Sequence, residues 1–163
     1  MTRLHGWFLT GAVALAPVCA RADLPRPQPP QPPSPPAACT LTVVHALAAE
    51  GGIDPALARL RKYLESPAFK AWKTFKLLSE KEETVREGQT AKYSVPNGAV
   101  SVTYSGHKVN GDKHTVQASI NIETTKLKTK TTYTAGEDKP FLAAGESHNN
   151  GILIYALSCK TNE

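Results

Sequence analysis

Polar and apolar residues alternate through "CTLTV", placing Cys39, Leu41 and Val43 on one side of the chain and Thr40 and Thr42 on the other. Period two marks a half-buried strand, and this is the first that the sequence predicts. Gly51-Gly52 ends it, and the spacing then changes. In "IDPALARLRKYLES", Leu57, Leu60 and Leu64 recur at helical intervals behind Asp54, a good N-cap, and Pro55, which suits the first helical position. Ser66-Pro67 repeats the start signal. Phe69, Trp72 and Phe75 follow three apart, predicting a short second helix that runs into a strand. From Thr84 the alternation returns, with turn residues roughly every ten positions, as an antiparallel meander or sandwich requires.

Two Asn-Gly pairs fix the expected registers. At Asn97-Gly98 a tight loop pairs Val95 with Val100, Tyr93 with Val102 and Ala91 with Tyr104, all on one face. At Asn110-Gly111 a two-residue loop would set His107 opposite His114 as a metal pair, but it would also set Val102 opposite Ser119 and Ser101 opposite Ile120. A three-residue loop, Val109 to Gly111 with Gly111 left-handed, keeps the apolar rows together by pairing Val100 with Ile120, Val102 with Ala118 and Tyr104 with Val116. The expectation is therefore that His107 and His114 point to opposite faces, with no metal site and no cofactor.

"KLKTKTTY" alternates Lys126, Lys128 and Lys130 against Leu127, Thr129 and Thr131, the pattern of an edge strand whose lysines discourage pairing with other chains. "KPFLAAG" predicts one more short strand, and "GILIYALSC", apolar on both faces, a central one covered on each side. The predicted class is α+β, mainly β: an antiparallel sheet or sandwich of about seven or eight strands with one or two short helices.

The first residues read as targeting. Arg3 and His5 precede an apolar run from Trp7 to Ala16 and the small residues of "APVCARA", a cleavable export signal too short to span a bilayer. Cleavage after Ala22 leaves Asp23 as a polar terminus, with Ala20 as the alternative, and either cut removes Cys19, one of three cysteines. Cys39 and Cys159 remain, 159 − 39 = 120 residues apart, at the start of one predicted strand and the end of another. A disulfide between them would close the folded region on itself and stabilise it by up to about 5 kcal/mol. Residues 23–38 contain eight prolines and read as a polyproline II linker able to reach about 50 Å. The expected organisation is a signal over 1–22, a linker over 23–38 and a disulfide-clasped domain over 39–163, exported to the periplasm or beyond. That domain is about the size that supports one core.

Net charge falls from +5 to +3 when Arg3 and Arg21 leave with the signal (5 − 2), too mild and dispersed for a nucleic-acid partner. The chain has no nucleophile elbow, phosphate loop, HExxH or CxxC, so no residue is assigned a catalytic role. Glu146, Ser147 and His148 adjoin in the connection from Gly136 to Gly151 and sustain a small hydrolase as the alternative, although a triad is assembled in space and not along the chain. The strongest candidate surface is "RLRKYLESPAFKAWKTFK". Arg59, Arg61, Lys62, Lys70, Lys73 and Lys76 interleave there with Tyr63, Phe69, Trp72 and Phe75, and Glu65 is the only acid. Cations beside aromatics suit an anionic envelope component, another envelope protein or peripheral contact with a membrane. The simpler account makes the aromatics the inner stripe of helices and the cations their wet side. A subunit of an envelope assembly is a third reading, in which apolar faces near Trp72 would be exposed in the isolated domain.

Taken together, "PAFKAWKTFKLLSEKEETVREGQ", "VPNG" and "KPFLAAGESHNNGILIYAL" resemble small exported proteins of unknown function from Gram-negative bacteria with complex envelopes. The resemblance covers residues 57–158. It implies export and this architecture, supplies no activity or catalytic residue, and is silent about the proline stretch and the cysteines.

Overall fold

A computed structural model of the chain describes residues 34–111, 113–136 and 139–161. The predicted signal, and the linker before Ser34, lie outside them. Nine strands form two sheets: β1 (Ala37–Leu47), β2 (Gly52–Ile53), β3 (Thr74–Val85), β4 (Thr90–Val95), β5 (Gly98–Asn110), β6 (Lys113–Thr124), β7 (Lys128–Gly136), β8 (Phe141–His148) and β9 (Gly151–Thr161). One sheet has the order β2-β3-β1-β9-β8 and the other β4-β5-β6-β7, and every pairing is antiparallel except the two-residue contact of β2 with β3. The class is α+β and mainly β, with one strand more than the upper expectation because the short β2 adds to the count.

The sheets pack face to face. Leu41 and Val43 of β1 and Leu153, Tyr155 and Leu157 of β9 meet Tyr93, Val100, Val102, Tyr104, Ile120 and Ile122 of the four-stranded sheet in one buried cluster. Strands β1 and β9 run in unbroken register from Ala37 opposite Thr161 to Leu47 opposite Gly151, and Cys39 lies directly opposite Cys159. The predicted disulfide joins them. Their outward residues, Val44, Ala46, Ile154 and Ala156, are buried too, under a second cluster. That double covering is why "GILIYALSC" is apolar on both faces, and β9 is indeed an interior strand, whereas lysine-bearing β7 is an edge.

The second cluster is closed by a helical layer. A 3-10 stretch, Pro55–Leu60, passes into a single α-turn, α1 (Arg61–Leu64), and Asp54 Oδ1 accepts the Ala56 N–H at 2.9 Å as the expected cap. Leu57, Leu60 and Leu64 are buried, as their spacing requires. The predicted second helix shrinks to the 3-10 turn Pro67–Phe69, and Phe75 already belongs to β3. Residues three apart fit a 3-10 turn as well as an α-helix, and so short a helix has little stability of its own.

Both predicted registers shift. Strands β4 and β5 turn through Pro96-Asn97, so Tyr93 faces Val100 and Ala91 faces Val102, two residues from expectation but with every side chain on its predicted face. Proline pre-sets the first turn position, and neither residue takes a positive φ. A turn with two left-handed residues, Asn149-Asn150 with φ of 39° and 61°, joins β8 to β9. The supposed long connection from 136 to 151 is therefore mostly strand β8.

In the β5–β6 hairpin, Val100 pairs with Ile122, Val102 with Ile120 and Tyr104 with Ala118. The register then slips at Ser105, and His107 pairs with Val116 and Val109 with His114. This corrects the expectation that the two histidines point apart. Gly106, at φ 133°, sits at a bulge that reverses the parity of the residues after it. The apolar rows and the histidine pair coexist because the strand is not one uninterrupted alternation.

Candidate functional site

The basic-aromatic segment divides by depth. Tyr63, Phe69 and Trp72 are half-buried against the outer cluster, so each aromatic packs one side inward. Arg59 is fastened to the sheet: its Nη2 donates to Glu80 Oε2 at 2.6 Å and to Thr42 Oγ1 at 2.7 Å. Arg61 lies 3.8 Å from Glu65 one turn on, both exposed, an arrangement that contributes little. Lys62 Nζ stands 4.8 Å from the centre of the Tyr63 ring. Lys70 and Lys73 are exposed, and among the described residues neither is in an ion pair. Lys76, also exposed, is opposite His45 in the register, while its neighbours Phe75 and Leu77 pack under the helical layer. Strand alternation therefore sends Lys76 to the other face of the sheet. Lys62, Lys70, Trp72 and Lys73 belong to the helical layer and the turn that leads from it into β3; Arg59, in the same layer, is tied to Glu80 and Thr42, and Lys76 lies on the other face.

A polar group occupies one end of the space between the sheets. A bulge at Gly145, φ 129°, turns Glu146 inward opposite Leu153, where it is 1% exposed. Tyr155 Oη donates to Glu146 Oε2 at 2.6 Å, and Oε1 has no hydrogen-bond partner among the described residues. Burial alone would raise the Glu146 carboxyl, but the Tyr155 hydroxyl, with the Thr124 hydroxyl, the Asn97 amide and the charge of Lys126 nearby, holds it below the ordinary glutamate range. Burial, then the bond to Glu146 and its charge, pushes the Tyr155 hydroxyl up.

Beside this group, His45 Nε2 lies 2.9 Å from the His148 carbonyl oxygen and the two rings meet edge to face, centroids 5.3 Å apart. Ser147 pairs with Ile152 and faces the opposite side from Glu146 and His148. The adjacent letters of "GESHNNG" thus do not gather around a nucleophile.

The third cluster is the corrected pair. His107 Nε2 and His114 Nδ1 are 3.2 Å apart, and the rings, 29° from parallel, have centroids 5.2 Å apart. Both are half-buried near the hairpin tip, beside Val109, which is 57% exposed. No group of three or more His, Cys, Asp or Glu placed to hold a metal occurs among the described residues. The apolar rows of the sequence argue against this pair, and their alternation points to neither the His45–His148 contact nor the Glu146–Tyr155 bond. The available signal was the single glycine inside each of two strand patterns, Gly106 and Gly145, which marks a bulge. Comparison with family models, characterised proteins and solved structures gave no match.

Proposed function

We propose that the chain is a non-catalytic, exported binding or accessory module that meets an anionic envelope component through the helical layer on its five-stranded sheet. One observation carries this reading. Leu57, Leu60 and Leu64 are buried, while Lys62, Lys70 and Lys73 are exposed in the same segment as half-buried Tyr63, Phe69 and Trp72 and have no acidic partner among the described residues. A fixed apolar base with uncompensated cations above it suits phosphate-bearing headgroups. Export rests on the signal-like first 22 residues, and a disulfide between the two remaining cysteines is compatible with an oxidising compartment.

Co-sedimentation with phosphatidylglycerol vesicles, against phosphatidylcholine vesicles, tests it. Each lysine near an anionic surface adds about 1 kcal/mol, so changing Lys62, Lys70 and Lys73 together to Gln should weaken binding on the order of hundredfold. Lys76→Gln should leave it unchanged. Equal binding by the triple variant would remove the layer as the contact surface.

A further inference from the structure

We propose that His107 and His114 form a two-imidazole site for a late first-row divalent metal ion, Cu(II) foremost. The inference is independent of the anionic-surface reading, since it concerns the other sheet and other side chains.

The first support is the placement of the two rings. Uninterrupted alternation along β5 would put His107 on the face opposite Val116, yet the slip at Ser105 and the glycine conformation at Gly106 bring it onto the face that carries Val116 and His114. Bulges recur where a strand re-aims a side chain at a functional position. Here the re-aimed side chain is an imidazole, and the group it meets is another.

The second support is distance. Two imidazole nitrogens bound in neighbouring positions on one metal, each about 2.0–2.1 Å from it, stand about 2.8–3.4 Å apart, from a right angle to a tetrahedral one. His107 Nε2 and His114 Nδ1 are already 3.2 Å apart. In the metal-free pair one ring donates its N–H to the other. Moving the donor ring's proton to its other nitrogen would free both facing nitrogens for the ion. Two rings on paired strands of a hairpin also need little reordering to bind.

The third support is ligand type. Imidazole suits copper, nickel and zinc, and for a given nitrogen site affinity peaks at Cu(II). Two imidazoles supply half of a four-coordinate shell, and the remaining positions would take water or a further donor.

The test is Cu(II) titration of the tag-free, disulfide-bonded chain, followed by calorimetry and electron paramagnetic resonance. One equivalent is expected, with hyperfine coupling from two nitrogens. His107→Gln and His114→Gln should each weaken binding at least tenfold, whereas His45→Gln should not. In the unaltered chain, substoichiometric Cu(II) should broaden the ring proton resonances of His107 and His114 before those of His45 and His148, a readout that depends on no variant folding. Retention of the same equivalent by the double variant, or earlier broadening of His45 and His148, would overturn the proposal.

Discussion

Glu146 is the residue whose environment is most at odds with its chemistry. A carboxylate with 1% exposure and one oxygen without a partner among the described residues is costly, and the Tyr155 hydroxyl at 2.6 Å offsets part of that cost. Tyr155→Phe should destabilise the fold by about 1.5–3 kcal/mol, the range for a hydrogen bond to a charged group, read as a lower denaturant midpoint. The pH dependence has a definite sign. Because the native carboxyl sits below its ordinary value of 4.5, its contribution is fully present above that pH and is lost as pH falls through the lowered native value. Glu146→Gln should flatten the stability curve below about pH 4.5. If the curves of the variant and the unaltered chain stay parallel down to the acid limit of folding, the carboxylate is not held as described.

At the scale of elements, two glycine bulges decide where chemistry appears. Gly106 brings His107 to His114, and Gly145 brings Glu146 to Tyr155. A Cβ at Gly106 would meet its nearest atoms, Glu87 Oε1 and Ser34 Oγ, at 3.4 and 3.5 Å, which is ordinary contact. The obstacle is the backbone at φ 133°. Gly106→Ala should therefore cost about 1–3 kcal/mol without overcrowding, and should separate His107 from His114 if the strand relieves strain by losing the bulge. Loss of through-space contacts between the two rings by nuclear magnetic resonance would detect that separation. The same bulges explain what could be read from sequence. Apolar rows such as Val100, Val102 and Tyr104 were legible because burial enforces period two, and Leu57, Leu60 and Leu64 because burial enforces helical spacing. A single inserted residue leaves those rows intact while reversing everything beyond it. The candidate clusters lie beyond such insertions, so local alternation gave the wrong face for His107 and no hint of the inward turn at Glu146. The cations of the helical layer were visible as a run, but alternation within β3, which parts Lys76 from Lys73, depended on knowing where the strand began.

For the whole molecule, the pairing of β1 with β9 joins residues more than a hundred positions apart, and such contacts form only after a large loss of chain entropy. The disulfide sits within that pairing, Cys39 opposite Cys159 with a sequence separation of 120, so it keeps the segments of these two neighbouring interior strands tethered even in the unfolded chain. On the chain-entropy account it stabilises by up to about 5 kcal/mol, comparable with the whole stability of a small domain. Both cysteines are buried, at 0% and 1% exposure, so a thiol cannot reach the sulfurs for exchange until the sheet opens. Reductant under native conditions should accordingly leave the bond intact, while reductant in denaturant should break it. Replacing both cysteines by alanine should lower the denaturant midpoint sharply and raise the slope of the transition, since an uncrosslinked denatured chain exposes more surface. The slope distinguishes the causes. A lower midpoint with unchanged slope would mean that the pair acts through packing in the inner core, where both side chains lie, and not by restricting the unfolded chain.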